Sequence, residues 1–190
     1  MVFTEYGLKL SIYNLGSGKG VDINAPKFYT AATAGRGYSY RPYTAHLALL
    51  TRNGGKDVIS IHAPNTLEVV RSWITQSIDA QGIGWSKDGK WILVWESAAQ
   101  GHRCFVYTSD GHLFRTWNGP SSFSGDENAV LGAGIRCFEW SGNGNWIAVG
   151  DYSLRVTLLA VPSFAEGMGL VHPVNVDPRE GLQVCFLFGV

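Results

Sequence analysis

The sequence has few of the features that mark secreted, nucleic-acid-binding or membrane proteins. Its three cysteines, Cys104, Cys137 and Cys185, are an odd number without a Cys-x-x-Cys pair, so neither a disulfide framework nor a zinc site is expected. Fifteen scattered basic side chains balance fifteen acidic ones, which leaves no basic stripe for nucleic acid. No apolar run approaches the roughly 18 residues that span a bilayer, and no signal-peptide pattern opens the chain. We therefore expect a cytoplasmic protein without nucleic-acid or membrane partners.

Long stretches with a helical apolar period are also absent, but a sequence repeat is present. GIGWSKDGKWILVW at 82–95 recurs as CFEWSGNGNWIAVG at 137–150. A weaker copy, SYRPYTAHLALL, occupies 39–50. EYGLKLSIYNL at 5–15 aligns without a gap on DYSLRVTLLAV at 151–161. The chain is thus built from related units, and the first unit is partial.

Each unit predicts four short antiparallel strands, because β-branched and aromatic runs alternate with Asp-Gly or similar turns. Units of this kind are typical of β-propeller blades, which cover their apolar faces by packing on one another. We predict an all-β fold of WD-repeat-like β-propeller blades, about three full and one partial, in an incomplete ring. The predicted divisions of this one partial propeller domain are the outer part of an incomplete blade at 1–30, blades at 31–75, 76–120 and 121–170, and an atypical tail at 171–190.

Four tryptophans occupy matching places in the two clearest repeats. Trp85 aligns with Trp140, and Trp91 aligns with Trp146. Large aromatic side chains at repeated positions are more often core residues than ligand-stacking ones. We therefore predict that all four pack between neighbouring blades.

The ordered set of motifs resembles one family. W-S-x-D/N-G followed by W-I-x-V is similar to the inner half of a WD repeat, although no Trp-Asp dipeptide ends the third strands. Together with TEYGLKLSIYNL, LALLTRNGGKDVISIHAPNTLEVVRSW, YTSDGHLFRTW and a closing VHP, the chain from about residue 4 to 178 resembles the middle of the WD-repeat protein eight family. These are centrosomal and spindle-pole-body WD-repeat proteins.

The resemblance implies a non-enzymatic scaffold for protein–protein interaction, without metal or cofactor. It implies a coiled-coil spindle-pole or centrosome anchoring protein as partner and, in fungi, a kinesin-fourteen motor. The complex anchors microtubule minus ends at the spindle pole body or centrosome. Family members are more than twice as long, so we expect this chain to be a partial copy. Two alternatives stay open: a propeller scaffold of another intracellular complex such as translation initiation, and a propeller enzyme with converging acids, histidines or a metal.

The loops between second and third strands, at 51–57, 96–103 and 150–153, are predicted to line one face of the propeller. Loops on a rigid scaffold carry function, and these loops are loosely basic. The alternative interpretation is a solvated rim. The candidate partner-binding residues are Arg52, Lys56, His102 and Arg103.

Other motifs give no catalytic, metal-binding or cofactor-binding prediction. GSGKG at 16–20 lacks the spacing and the final hydroxyl residue of a phosphate-binding loop, so an inter-strand connection is favoured. The five histidines lie in different strands and loops without metal-ligand spacing. His46 and His62 occupy aromatic positions of the repeat and are predicted to be hydrogen-bonded core or edge residues.

Overall fold

The computed structural model describes residues 2–6, 9–27, 37–120, 134–152, 155–167 and 172–173, with side chains from residue 9 to 167 within these ranges. The described residues form four antiparallel sheets that follow one another along the chain, here called blades 1 to 4. They contain no α-helix and one turn of 3₁₀ helix at Ala98–Gln100. The predicted all-β architecture of propeller blades in an unclosed ring is therefore confirmed.

Each blade is a meander whose strands pair in chain order. Blade 1 has three described strands, β1 Val2–Tyr6, β2 Lys9–Tyr13 and β3 Gly20–Asn24. Blade 2 consists of β4 Tyr38–Tyr40, β5 Leu47–Asn53, β6 Lys56–His62 and β7 Val69–Ile74. Blade 3 consists of β8 Ala80–Trp85, β9 Trp91–Glu96, β10 Cys104–Thr108 and β11 Leu113–Trp117. Blade 4 consists of β12 Ile135–Trp140, β13 Trp146–Asp151, β14 Arg155–Ala160 and β15 Ala165–Glu166, and β16 His172–Pro173 also pairs with β14.

The turn between the first two strands explains the strongest part of the sequence repeat. In blade 3 the Ser86 hydroxyl donates to Asp88 Oδ1 at 2.6 Å and accepts from the Trp91 N–H at 2.9 Å. Gly89 follows with a φ of 68°, a left-handed conformation that glycine adopts without steric cost. Blade 4 repeats the arrangement, since Ser141 bonds Asn143 and the Trp146 N–H. The repeated residues therefore build the same hairpin turn.

Apolar side chains fill the spaces between successive blades. Leu10 and Ile12 of blade 1 cluster with Leu47, Leu49 and Leu67 of blade 2. Blades 2 and 3 share a second buried cluster, and blades 3 and 4 share a third. The cores thus lie between the blades and hold them in an arc.

The four repeated tryptophans do not share one environment. Trp85 and Trp140 are buried between blades, as predicted. Trp91 is half-buried, with its ring centroid 5.4 Å from that of Phe164 in blade 4. Trp146 is 40% exposed. Within the described residues it does not pack between two blades, so the prediction for this tryptophan is wrong. The physical reason is that no described blade follows blade 4. Trp146 therefore has no ring from a next blade packed on it, whereas Trp91 has the Phe164 ring of blade 4.

The structure also shows the surroundings of Cys104, Cys137 and His62. Cys104 is a free, fully buried thiol, and burial raises its pKa to about 12. Cys137 is disulfide-bonded, whereas the odd number of cysteines predicts no disulfide framework. Both ring nitrogens of His62 form hydrogen bonds of 2.9 Å, to the Ser60 hydroxyl and the Leu67 carbonyl, in agreement with the prediction for this residue.

In the part of the chain that the structure describes, no helix is long and apolar enough to cross a membrane.

Candidate functional site

The second-to-third-strand loops and the connections between blades lie at the same end of the sheets. In blade 3, for example, Ala80 begins the first strand opposite Glu96, which ends the second. We call this side the loop face and define it by the segments 53–56, 75–79 and 97–103. Its geometry follows from a set of buried charges.

Asp57 is the centre of this set and is fully buried at the start of β6. Its Oδ1 accepts hydrogen bonds from Lys27 Nζ at 2.9 Å and from Arg52 Nη1 at 3.1 Å. Its Oδ2 accepts from the Ser77 hydroxyl at 3.1 Å and from the Ala80 N–H at 2.6 Å. One carboxylate therefore joins the connection from blade 1, the corner of blade 2 and the connection to blade 3.

Asp79 supplies a second carboxylate beside the same cations. Lys27 Nζ lies 2.8 Å from Asp79 Oδ1, and Arg52 Nη1 lies 3.5 Å from it. Partial burial alone would raise the pKa of Asp79, but the hydrogen bond and charge of Lys27, with help from Ser97 and Arg52, lower it below the ordinary value. Two cations thus balance two carboxylates, and the cluster is locally neutral.

Glu96 performs a related role in blade 3. It is fully buried, and its Oε1 accepts a hydrogen bond of 2.6 Å from the Ile78 N–H. Arg103 Nη2 lies 3.8 Å from the other carboxylate oxygen and also donates to Gln100 Oε1 at 3.4 Å. The loop 97–103 is therefore held against the connection that precedes blade 3.

His102 joins blade 3 to blade 4 in the same way. Its Nε2 lies 3.1 Å from Asp151 Oδ2, and both side chains are buried. Asp151 Oδ1 accepts a hydrogen bond from the Arg155 N–H at 3.0 Å. Gly119 packs against the His102 side chain so closely that an added Cβ would lie 2.9 Å from His102 Cβ. Buried polar contacts thus hold the blades together at this face.

The structure places Lys56, His102 and Arg103 in the loop face and Arg52 directly beside it, and it divides the four predicted partner-binding residues into two kinds. Lys56 is exposed at the tip of the β5–β6 hairpin. Arg52 is partly exposed, and it also donates to the Gly55 and Ile78 carbonyls at 3.0 and 3.1 Å. Together with His102 and Arg103 it forms the framework described above. Their contact with a partner stays a prediction.

One surface residue of the loop face was missed from the sequence. Ile78 is 53% exposed, while the side chains of its neighbours Thr75 and Ser77 are buried. The signal was a lone large aliphatic residue in the polar connection TQSID, but its exposure depends on the placement of blades 2 and 3. Lys56 and Ile78 therefore combine a cation and an apolar side chain on one face. Such a mixed surface suits a protein partner.

The remaining motifs add no chemistry to the described residues. GSGKG forms part of the β2–β3 hairpin connection, where Asn14 Oδ1 accepts from the Gly16 and Ser17 N–H groups. No group of three or more His, Cys, Asp or Glu side chains in the described ranges is arranged to hold a metal ion.

Comparison with known proteins gives distant relatives. No protein-family model matches the chain. It is 24% identical over 174 residues to WD repeat-containing protein WRAP73 of Mus musculus, and 23% identical over 179 residues to an uncharacterized WD repeat-containing protein of Schizosaccharomyces pombe. These matches cover 92% and 90% of this chain but 34% of each relative, so the chain spans about a third of the relatives' length. The chain is thus distantly similar to WD-repeat proteins.

Solved structures show the same fold. The Dos1 propeller matches 87% of this chain with a TM-score of 0.61 at 12% identity, over 39% of its own length. Hydrazine synthase of Kuenenia stuttgartiensis and Hsv2 of Kluyvelomyces marxianus match 87% and 83% of this chain, with TM-scores of 0.55 and 0.54 at 14% and 15% identity, over 44% and 45% of their own lengths. At these identities the likeness concerns the fold alone. Propellers of the WD-repeat type are typically scaffolds that bind protein partners through their loops.

Proposed function

We propose that the chain is a non-enzymatic scaffold that binds a protein partner through the loop face. The observation that carries this proposal is the contrast within that face. Asp57 and Glu96 are fully buried and fix the loops in place, whereas Lys56 and Ile78 are exposed on them. A rigid frame under exposed side chains lowers the conformational cost of binding.

The proposed place of action is the spindle pole body or centrosome, where the chain contributes to anchoring microtubule minus ends. This part rests on the ordered sequence motifs, and the likeness to WD-repeat proteins of an animal and a yeast is compatible with it. The proposed partner is a coiled-coil anchoring protein, joined in fungi by a kinesin-fourteen motor.

A binding experiment with matched variants tests the interface. Lys56→Glu and Ile78→Asp change exposed side chains on the loop face, and we expect each to reduce capture of the coiled-coil partner at least about fivefold. Lys90→Glu changes a side chain that is 72% exposed in the β8–β9 turn at the opposite end of the sheet. Val69→Asp changes a residue 58% exposed on the outer strand of blade 2. These two controls should bind like the parent.

One result of this binding experiment would contradict the proposed interface. Equal capture by all four variants and the parent would remove the loop face from the proposal. Location is scored separately by imaging the tagged chain, and a diffuse signal in dividing cells would reject the spindle-pole assignment while leaving the scaffold proposal intact.

A further inference from the structure

The charged side chains of the loop face lie at two depths. The carboxylates of Asp57 and Glu96 are fully buried. Their cationic partners reach the surface, because the side chain of Arg52, directly beside the loop face, is 40% exposed and that of Arg103 is 33% exposed. Each of these ion pairs is neutral as a whole, but the positive side chain is the one that solvent reaches.

Lys56 adds a positive charge that no described residue balances. It is exposed at the tip of the β5–β6 hairpin and forms no ion pair within the described ranges. Among the described residues of the loop face, Asp79 is the one carboxylate that is partly exposed, and Lys27 Nζ already lies 2.8 Å from it. The surface around the hairpin tip is therefore positive, although acidic and basic side chains are equal in number over the whole sequence.

The opposite end of the sheets exposes charges of both signs. Lys90 Nζ lies 3.5 Å from Asp88 Oδ2, and the two side chains are 72% and 45% exposed. Lys87 Nζ lies 3.9 Å from Glu139 Oε1, and these side chains are 52% and 41% exposed. Solvent therefore reaches both members of each pair. Exposed cations above buried carboxylates are thus a property of the loop face and not of every turn in the described blades.

Arg52 also places an apolar side chain beside this positive surface. Its Nη2 donates to the Gly55 carbonyl at 3.0 Å, and its Nη1 donates to the Ile78 carbonyl at 3.1 Å. One guanidinium group therefore holds the hairpin tip against the connection between blades 2 and 3. Because Lys56 follows Gly55 in the chain, the exposed cation and the exposed Ile78 are neighbours. Gly54 has nothing within 4 Å of an added Cβ, so the hairpin tip leaves open space for a partner.

We propose that this part of the loop face recognises an acidic segment of the partner protein, in which carboxylates flank one large apolar side chain. The inference rests on the proposed function and names the chemistry of the partner's segment. The carboxylates lie against Lys56 and the exposed edge of Arg52, and the apolar side chain covers Ile78. Charge complementarity selects the partner and raises the rate of association. The buried apolar contact slows dissociation.

A protein segment suits this surface better than a nucleic acid. Nucleic-acid binding relies on several cations that contact successive phosphates. Here Arg52 is already bonded to Asp57 and to two backbone carbonyls, and the partly exposed Asp79 repels phosphate groups. One free lysine beside an exposed isoleucine is a mixed surface, which is typical of contacts between proteins.

Nuclear magnetic resonance titration of the isotope-labelled chain with two synthetic peptides tests the proposal. The first peptide is Glu-Glu-Leu-Glu-Glu, and the second is its charge-reversed twin Lys-Lys-Leu-Lys-Lys. The glutamate peptide should shift the amide signals of segments 53–56 and 75–79, and the lysine peptide should not. Lys56→Glu should weaken binding of the glutamate peptide at least about threefold, because an attraction becomes a repulsion. Lys56→Arg keeps the charge and should bind like the parent.

Lys90→Glu is the matched control, since it makes the same change of charge at the opposite end of the sheet, and it should bind the glutamate peptide like the parent. Equal binding of the two peptides, no binding of either, or shifts confined to the opposite turns would overturn the proposal. Tighter binding of a thymidine oligonucleotide to the same segments would overturn it in favour of nucleic acid. If the peptide fails but Ile78→Asp still reduces capture of the coiled-coil partner, the proposed function stands and only the acidic chemistry is wrong.

Discussion

At the scale of single residues, the loop face depends on charges that are buried together. Lys27 and Asp57 are 5% and 0% exposed, so neither has water to stabilise its charge if the other is lost. Breaking such a pair leaves an uncompensated charge in a place of low polarity, which costs more than the pair contributes when intact. The function we propose for Lys56 and Ile78 therefore depends on residues that do not contact the partner.

Replacing the central carboxylate tests this dependence. Asp57→Ala leaves Lys27 buried beside one carboxylate instead of two, and we expect a loss of about 3–5 kcal/mol in the free energy of unfolding. Urea unfolding of parent and variant measures it. Asp22→Asn is the control, because its ion pair with Lys9 is about half exposed, and this variant should unfold almost like the parent. Equal effects of the two substitutions would contradict the buried cluster.

The cluster also predicts a dependence on pH. The folded-state pKa of Asp79 lies below its ordinary value of 3.8. Asp79 therefore stabilises the fold at any pH above that ordinary value, and this contribution is lost as the pH falls through the lower folded-state pKa. The free energy of unfolding should fall more steeply with acidification below pH 3.8 in the parent than in Asp79→Asn. Parallel pH profiles of the two proteins would contradict it.

Charge reversal of Arg52 is a poor test of binding at this face. From sequence, Arg52→Glu combined with Lys56→Glu is expected to weaken partner capture without harming the fold. The structure corrects this expectation, because Arg52 donates to the buried Asp57 at 3.1 Å. Its replacement by glutamate would place a third carboxylate beside those of Asp57 and Asp79. Weak binding of that variant would report lost structure, so Lys56 must be changed alone.

At the scale of the strands and turns, the repeat places chemically similar residues at equivalent points, and the neighbouring blade decides their environment. Trp91 and Trp146 end the same turn in blades 3 and 4. Only Trp91 receives Phe114 and Phe164 against its ring. Similar local sequences therefore lie in different surroundings.

The two tryptophans should differ in thermal and urea unfolding. Trp91→Ala removes a half-buried ring from the contact between blades 3 and 4, and we expect a cost of about 3 kcal/mol. Trp146→Ala should cost less than half as much because its ring is 40% exposed. Equal losses would show that Trp146 is packed as tightly as Trp91.

Glycine in the third-to-fourth-strand turn gives a second test at this scale. Gly111→Ala meets both a left-handed backbone and the Trp73 ring, at 2.9 Å from the new Cβ. Gly54→Ala meets only the backbone cost, about 1–2 kcal/mol, because nothing lies within 4 Å. We expect Gly111→Ala to be less stable than Gly54→Ala by about 1–3 kcal/mol in urea unfolding. Similar stabilities would show that Trp73 moves aside at no cost.

At the scale of the whole molecule, the features that could be predicted from the sequence are those formed by residues close together in the chain. The Ser86 turn involves residues close in sequence, so its repetition revealed strands, turns and blades. The buried cluster was not predictable, because Lys27 meets Asp57 and Asp79 across 30 and 52 residues. The exposure of Ile78 could not be predicted for the same reason, because it depends on how blades 2 and 3 are arranged.

The most direct test of the central claim is amide hydrogen exchange of the chain with and without its captured coiled-coil partner. A rigid loop face that binds the partner predicts new protection in segments 53–56 and 75–79. The turns at the opposite end of the sheets, at 86–90 and 108–112, should exchange as in the free chain. Protection confined to those opposite turns, with no change in the loop face, would contradict the account.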